Sequence, residues 1–328
     1  MFRCLMTLAL GLLTLPVSAE CRGQNLITAL PAPQRAALQA AVTAQPFAVG
    51  NLWRATKGGA EVTLAGTFHL DDPRHLATVA ALEPSMAKAT VLLVEAGPKE
   101  EMAIQTLIGR EPGRMMILSG PTLAEQMTAA EWLRVADAIK ARGMSAGIGA
   151  KFQPWFLTAM LAIPACAFAN AGAAQGLDKR LMTRAKALGL PVQALEPFDT
   201  IFEIFDQFSA ADQMAMLLQT VDADGLSSDM AVTLSDTYFA GQSRLFWEFS
   251  KLQIMGQPGM GKAMADREIA LVDQAMITRR NAKWIPVIEA AAAKGPVVAA
   301  FGALHLSGAQ GVLALLAARG WKIEALPM

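Results

Sequence analysis

The sequence predicts an α/β fold in which a mixed, largely parallel sheet carries a large helical insertion. A five-residue motif, Gly-x-x-His-Leu, occurs twice, at Gly66–Leu70 and Gly302–Leu306, and is called the repeated phrase below. Each copy directly follows an apolar, β-prone run. Residues 90–94 are a continuous apolar run, which is typical of a strand buried on both faces of a parallel sheet. From about 99 to 260 the pattern is mostly helical. Strands at both ends with helices between them indicate an α/β core with an insertion.

The other elements rest on composition and turn signals. Pro31 and Pro33 precede a run of helix-forming residues, and glycines at 58 and 59 mark the turn of a hairpin. Pro286 predicts a kink or a break in a long helix. Helices are therefore predicted near 34–44, 73–89, 122–142, 175–188, 199–222, 227–254, 264–293 and 308–319, and strands near 52–56, 61–65, 90–94, 191–195, 297–301 and 321–325.

No disordered linker or low-complexity segment divides the chain. Residues 20–328 are therefore predicted to form a single domain, with the helical insertion at about 99–260. The stretch between Lys151 and Asp178 carries no charge, but Pro154 and Pro164 interrupt it. Its apolar part is short, so it is interpreted as a buried core helix rather than a membrane span.

The first nineteen residues have the pattern of a secretory signal peptide. Arg3 supplies the positive charge, residues 5–15 form a short apolar run, and residues 17–19 offer a small-residue cleavage site. Cleavage is predicted near Ala19–Glu20, and the mature protein is predicted to be periplasmic or secreted. No transmembrane segment is predicted in the mature chain.

The cysteines fit an oxidising compartment. Removal of residues 1–19 takes away Cys4 and leaves Cys21 and Cys166. These two are a candidate disulfide, and two unpaired buried thiols are the alternative. A lipid anchor on Cys21 is disfavoured, because Glu20 stands where that processing requires a small residue.

Charge and motifs argue against several classes of function. The chain has 28 basic and 28 acidic residues, so it lacks the electrostatic footprint of a nucleic-acid-binding protein. No basic amphipathic stretch suggests a membrane-surface helix. A nucleophile elbow, a phosphate-binding loop, a dinucleotide fingerprint and a Cys-x-x-Cys pair are also absent from the sequence, which argues against a serine hydrolase, a kinase or a dehydrogenase.

Three residues at predicted strand ends are the main candidates for chemistry. His69 and His305 are two of the three histidines and occupy the same place in the repeated phrase, and Glu95 ends the apolar run 90–94. In an open α/β sheet, ligands bind beyond the carboxyl ends of the strands. The glycine of each phrase is expected to allow a backbone turn there. Two imidazoles and a carboxylate suit a divalent metal with a coordination position left for water.

The other polar residues near these positions have competing interpretations. His75 is a surface or capping residue rather than a ligand, and Asp71 and Asp72 are N-caps of the following helix. Asp178 and Glu196 are either supporting acids of the site or ordinary surface residues. Arg280, on a long helix with Asn281 and Trp284, is either a catalytic residue that stabilises charge on a substrate oxygen or part of a solvated helix face.

These features resemble the TraB/PrgY/GumN/Tiki family over roughly residues 45–326. The resemblance implies a fold similar to erythromycin-esterase-like and ChaN-like proteins, with an α/β core of two quasi-repeated halves. Pro197 departs from the small polar residue expected there. The resemblance rests on both Gly-x-x-His phrases, on Glu95, on Gly176-Leu177-Asp178, on Leu195-Glu196, on Arg280-Asn281 with Trp284, and on the closing block Phe301–Gly308 with Gly311 and Leu315.

Tiki members of this family are described as metal-dependent proteases that use the two histidine motifs and the intervening glutamate. In this chain these positions are His69, His305 and Glu95, which would bind manganese, cobalt or zinc. Glu95 would be either a ligand or the base for a metal-bound water.

Three hypotheses follow for function. The first is a periplasmic or secreted metal-dependent hydrolase acting on a peptide or small-molecule substrate. The second is a non-catalytic protein that binds haem or another ligand through a histidine. The third is a metal-free esterase that uses His and Glu as acid and base. The oligomeric state stays open, a homodimer included.

Overall fold

The computed structural model describes residues 21–168, 175–256 and 261–327. The predicted signal peptide, residues 1–19, lies outside the described residues. Inside them, no helix has both the length and the apolar character that crossing a membrane requires. The uncharged stretch 152–177 contributes an eight-residue helix whose Trp155, Leu157 and Leu161 are buried, as predicted for a core helix.

One mixed sheet forms the core and confirms the predicted fold class. Within the described residues its six strands are β1 (Leu52–Lys57), β2 (Ala60–Thr67), β3 (Val91–Val94), β4 (Val192–Ala194), β5 (Val297–Gly302) and β6 (Lys322–Ala325). They lie in the order β4-β3-β5-β2-β1-β6. The neighbours β4, β3, β5 and β2 are parallel, whereas β1 is antiparallel to both β2 and β6. The parallel part therefore brings four strand ends to one edge.

Helices flank the sheet and fill the segment between β3 and β5. They are α1 (Leu26–Ala29), α2 (Ala32–Thr43), α3 (His75–Met86), α4 (Pro98–Arg110), α5 (Leu123–Gln126), α6 (Ala129–Ala141), α7 (Ala146–Gly149), α8 (Pro154–Leu161), α9 (Ala165–Phe168), α10 (Leu177–Leu188), α11 (Thr200–Phe205), α12 (Ala210–Asp222), α13 (Ser227–Phe239), α14 (Ser243–Met255), α15 (Lys262–Asp273), α16 (Arg279–Ala292) and α17 (Val312–Ala318).

Three helices that the sequence predicts as continuous are each divided in two. Thr128 and Ser209 cap the N-termini of α6 and α12, and each forms a capping box with the acid three residues later. Gly241 has a φ of 68° between α13 and α14, a conformation that ends a helix and that glycine adopts without strain. Local capping residues therefore override the continuous helical pattern.

Of the two outcomes predicted at Pro286, a kink or a break, the break is wrong. Helix α16 runs through Pro286 to Ala292. Both Pro286 and Ala282, whose carbonyl loses its helical partner, are exposed. Water can therefore satisfy that carbonyl, which lowers the cost of a proline inside the helix.

Alternation along β5 shows how the sheet is buried on both faces. Val297, Ala299 and Phe301 belong to the apolar cluster under α16 and α17. Val298 and Ala300 belong to the opposite cluster, under α3 and α10. All five side chains are almost fully buried, as is typical of a strand covered on both faces in a parallel sheet.

A disulfide joins Cys21 to Cys166, which are 145 residues apart in the chain. This is the pairing that the sequence suggested over two free thiols. It ties the segment before α1 to α9. The start of the described chain is thereby fixed to the helical region.

Candidate functional site

The parallel strands bring both repeated phrases to the same edge of the sheet. In the register of β2 and β5, Thr67 lies opposite Gly302, and β3 pairs with β5 on its other side. The chain beyond β2 carries His69, the chain beyond β5 carries His305, and Glu95 directly follows β3. The three predicted site residues therefore meet, although 236 positions separate the two histidines in sequence (305 minus 69).

The space beside Gly302 is where these side chains converge. A Cβ atom placed on Gly302 would lie 3.2 Å from Glu95 Oε1, 3.6 Å from His305 Cδ2 and 3.7 Å from His69 Nε2. The backbone N–H of Gly302 donates a hydrogen bond of 2.6 Å to Glu95 Oε1. The missing side chain of Gly302 thus leaves room at the centre of the site.

The two phrase glycines act by close approach rather than by an unusual turn. Gly66 and Gly302 are not among the residues with positive φ, so their backbone angles do not themselves require glycine. A Cβ on Gly66 would lie 2.9 Å from Ala303 Cα and 2.7 Å from Leu306 Cδ1. Gly66 therefore lets the two phrases pack against each other, whereas Gly302 makes room for the functional side chains.

His69 lies at the open rim of the site. Its side chain is 66% exposed, and its Nδ1 forms a hydrogen bond of 2.7 Å with Asp178 Oδ2. Thr67 donates its hydroxyl to the other oxygen of Asp178 at 2.6 Å. Asp178 reaches this position because α10 begins against the phrase: a Cβ on Gly176 would be only 2.2 Å from the His69 carbonyl oxygen. Asp178 therefore fixes the ring and directs Nε2 towards Glu95.

His305 forms the floor of the site and is only 4% exposed. Its ring packs on Trp284 with centroids 4.4 Å apart. Nδ1 donates to Asn281 Oδ1 at 2.6 Å; this tautomer is assigned because the amide nitrogen of Asn281 donates to the Gln310 carbonyl at 2.8 Å. Nε2 is then an acceptor that faces the site.

Arg280 lies between Glu95 and His305. Its Nη2 donates to Glu95 Oε2 at 2.5 Å, and its Nη1 donates to His305 Nε2 at 3.2 Å. A second carboxylate, Glu196, accepts from Nε at 2.9 Å and from Nη2 at 2.6 Å. The Trp284 indole N–H donates to Glu196 at 3.0 Å. Arg280 thus belongs to the site rather than to a solvated helix face.

A π-helical turn, Gln274–Thr278, connects α15 to α16 and ends two residues before Arg280. The Met276 carbonyl in that turn accepts a bond of 3.2 Å from Arg280 Nη1. Such turns inside α-helices are frequently found at functional sites. Here the turn sets the position from which Arg280 enters the site.

The charges of the three central residues differ sharply. Burial would raise the pKa of Glu95, but His305, Arg280 and His69 lower it to about 2. Burial lowers the pKa of His305 to about 3; the charge of Glu95 opposes this, but burial together with the smaller effects of Arg280 and His69 outweighs it. Partial loss of solvent around the ring lowers the pKa of His69, but the hydrogen bond and the charge of Asp178 raise it to about 9. For this exposed ring the pairing with Asp178 decides the direction.

Three residues, His75, Asp71 and Asp72, lie in settings other than those predicted, and one residue that was not predicted, Tyr238, contacts the first phrase. His75 is fully buried rather than on the surface, with its ring near those of Phe68 and Phe239. Neither Asp71 nor Asp72 is the N-cap of α3, which is Arg74 without a side-chain cap bond; Asp72 accepts a backbone bond from Arg74, and Asp71 pairs with Arg180. Tyr238, which the sequence analysis did not single out, donates its hydroxyl to the Gly66 carbonyl at 3.0 Å.

The donor atoms suit a divalent metal, but Arg280 holds two of them. His69 and His305 each have Nδ1 fixed by a polar partner and Nε2 facing the site, which is the usual arrangement of metal-binding histidines. Glu95 adds a carboxylate. As they stand, no three His, Cys, Asp or Glu side chains in the described parts of the chain are spaced to hold a metal ion. The site fits a metal in chemistry, and the guanidinium occupies the contact points.

The chain belongs to the TraB/PrgY/gumN family, whose model matches residues 51–325. The match spans the whole sheet and every residue of the site described above. No curated protein and no solved structure matches the chain.

Proposed function

We propose that this protein is a metal-dependent hydrolase, with peptides as the first substrate class to test. The observation that carries the proposal is the convergence of His69 Nε2, Glu95 Oε1 and the His305 ring beside Gly302. His69, His305 and Glu95 would hold the metal, which would lower the pKa of a bound water and supply a nucleophile at neutral pH.

The protonation states support a division of roles between Glu95 and His69. Glu95 is ionised and accepts protons, whereas His69, with its pKa raised to about 9, carries a proton at neutral pH. Paired groups whose pKa values are pushed apart are typical of an acid and a base. In a metal-free site His69, at the exposed rim, could deliver this proton to a leaving group; to hold a metal through Nε2 it would first have to lose the proton. Asp178 holds the ring in that orientation.

The low pKa of Glu95 is a reason to favour metal. A carboxylate with a pKa of about 2 is a weak base. It removes a proton from water effectively only when the water has been made more acidic. A metal-free site would depend on a base that this environment has weakened.

A second candidate, a metal-free hydrolase of the esterase type, is favoured by Arg280. This side chain already bonds to Glu95 and His305. Its positive charge therefore balances the Glu95 carboxylate without a metal ion. His69 and Glu95 would then be the acid and the base.

The two candidates separate in one experiment. We would incubate the chain with a complex peptide mixture and with activated esters, in chelator or in manganese, cobalt or zinc, and identify products by mass spectrometry. The metal-dependent proposal predicts cleavage that chelator abolishes and metal restores, and at least about a hundredfold less in His69→Ala. Arg279→Gln is the control, because that arginine is exposed and bonds to Gln207 instead. Full activity of His69→Ala would contradict both candidates, and activity that persists in chelator would leave only the second.

We also propose that the protein acts outside the cytoplasm after removal of residues 1–19. The signal-like sequence and the Cys21–Cys166 disulfide support this, because structural disulfides persist in oxidising compartments. Mass spectrometry of the periplasmic or secreted fraction should find a chain that begins at Glu20. Its mass should be lower than that of its reduced form by the mass of two hydrogen atoms. A cytoplasmic chain that begins at Met1 would contradict the proposal.

A further inference from the structure

Arg280 has no hydrogen-bond donor left for a substrate. A guanidinium has five N–H groups. Nε donates to Glu196, Nη2 donates to Glu196 and Glu95, and Nη1 donates to the Met276 carbonyl and His305. Its side chain is only 11% exposed. A role in stabilising charge on a substrate oxygen would therefore require it to give up an existing bond.

Two of these five bonds go to atoms that a metal would need. Arg280 contacts Glu95 Oε2 at 2.5 Å and His305 Nε2 at 3.2 Å. A lone pair that accepts from a guanidinium cannot coordinate a metal at the same time. A divalent ion placed there would also meet the positive charge of the arginine at close range. Metal and guanidinium therefore exclude each other at His305 Nε2, which has a single lone pair, and repel each other beside Glu95 Oε2.

The other three bonds, two to Glu196 and one to the Met276 carbonyl, involve neither Glu95 nor His305. Glu196 binds Arg280 through two parallel bonds, the strong geometry of an arginine–carboxylate pair. The guanidinium carbon lies 4.9 Å from the centre of the Trp284 ring, and the same indole donates to Glu196. Arg280 can thus release Glu95 and His305 and still have a paired, stacked position on Glu196.

We propose that Arg280 is a resident cation that competes with a divalent metal for Glu95 and His305 and withdraws onto Glu196 when the metal binds. The proposal rests on the metal-dependent form of the proposed function. It assigns Arg280 a positioning role: without metal it keeps Glu95 paired and His305 oriented, and it sets the metal concentration at which the site is loaded.

The test is metal binding, measured without any substrate. Manganese and zinc affinities would be determined by calorimetry on the untagged, disulfide-bonded chain and on three variants. Arg280→Gln removes the cation, Arg280→Lys keeps a charge but loses the paired fork, and Arg279→Gln changes the exposed neighbour. Thermal unfolding with and without metal provides a second readout, because a ligand that binds only the folded state raises its stability.

Arg280→Gln should bind metal at least about tenfold more tightly than the unaltered chain, since it removes a competitor and leaves two carboxylates unpaired. Arg280→Lys should lie between them, and Arg279→Gln should match the unaltered chain within about twofold. The stabilisation by metal should be largest in Arg280→Gln. If this variant folds poorly without metal, the lysine variant still gives the order of affinities.

Two results would overturn the proposal, and they differ in what they say about function. Equal or weaker binding by both Arg280 variants, with clear binding by the unaltered chain, would leave the metal site standing and remove the competition. An absence of binding in all four proteins would reject the competition and the metal-dependent function together.

Discussion

The two copies of the repeated phrase build opposite halves of one site. The histidine of the first copy, His69, is 66% exposed and bonds to a carboxylate, so its pKa is raised to about 9. The histidine of the second copy, His305, is 4% exposed and bonds to the neutral amide of Asn281, and its pKa is lowered to about 3. The same residue type, in the same position of the motif, is therefore a charged ring at the rim in one copy and a neutral ring on the floor in the other.

The difference shows what a short motif controls and what it does not. The phrase places each ring at the carboxyl end of a parallel strand. The protonation state of each ring is decided by partners from elsewhere in the chain, Asp178 on α10 and Asn281 on α16. A motif can therefore identify the members of a site without identifying their roles.

Truncation of the two rings should separate them most strongly. His305→Ala is expected to lower the free energy of unfolding by about 2–4 kcal/mol, because it leaves a cavity beside Trp284 and removes a partner from both Asn281 and Arg280. At pH 10, where the ring is neutral and its ion pair with Asp178 no longer contributes, His69→Ala should cost less than about 1 kcal/mol, since that ring is largely in solvent. Urea unfolding of both variants measures the contrast, and equal losses would contradict it.

Substitution of the phrase glycines should give a smaller contrast in the same sense. Gly66→Ala is expected to destabilise the protein by about 1–3 kcal/mol, because its Cβ would press on the Ala303 backbone at 2.9 Å. Gly302→Ala should change stability by less than about 1 kcal/mol, since φ −47° and ψ 132° suit alanine and the nearest atom is a side-chain oxygen. It should nevertheless abolish hydrolysis by filling the space between Glu95 and His69. An active, stable Gly302→Ala protein would refute this assignment.

The third histidine, His75, offers the smallest effect and lies outside the phrase. Burial lowers its pKa below 6.5 despite a hydrogen bond to the Leu70 carbonyl, and its Nδ1 has no partner among the described residues. Below pH 6.5 the unfolded chain binds a proton before the folded chain does. Stability should therefore fall as pH decreases from 6.5 towards 5, by up to about 1.4 kcal/mol per pH unit. His75→Phe should flatten this part of the profile, and an unchanged slope would assign the loss to other groups.

Much of the fold could be predicted because its signals are local. The apolar run 90–94 predicted β3, and two β-prone runs around the turn at Gly58 and Gly59 predicted β1 and β2. The order of strands and helices then predicted the fold class. The divided helices were missed because capping by Thr128 or Ser209 is weak beside a continuous helical pattern. The π-turn at Gln274–Thr278 has no sequence signal.

The members of the site were easier to predict than its connections. His69, Glu95 and His305 share the position of strand ends, and parallel strand ends meet at one edge. The bond from His69 to Asp178 depends on Gly176 packing against the His69 backbone. This contact joins distant segments, and the hydrophobic periodicity of the sequence does not predict it. The fork of Arg280 on Glu196 likewise depends on a helix and a strand 84 residues apart. The Gly-Leu-Asp start of α10 was the one available hint, and it left Asp178 undecided.

The most direct test of this account is an NMR titration of the three histidines in chelator-treated protein. The account predicts that His69 titrates near pH 9 and His305 stays neutral above about pH 3. In Asp178→Asn the His69 value should fall by at least about one unit while the His305 resonance does not move. Joint titration of His69 and His305 near 6.5, unchanged in Asp178→Asn, would contradict the claim that one repeated phrase builds two chemically opposite halves of a single site.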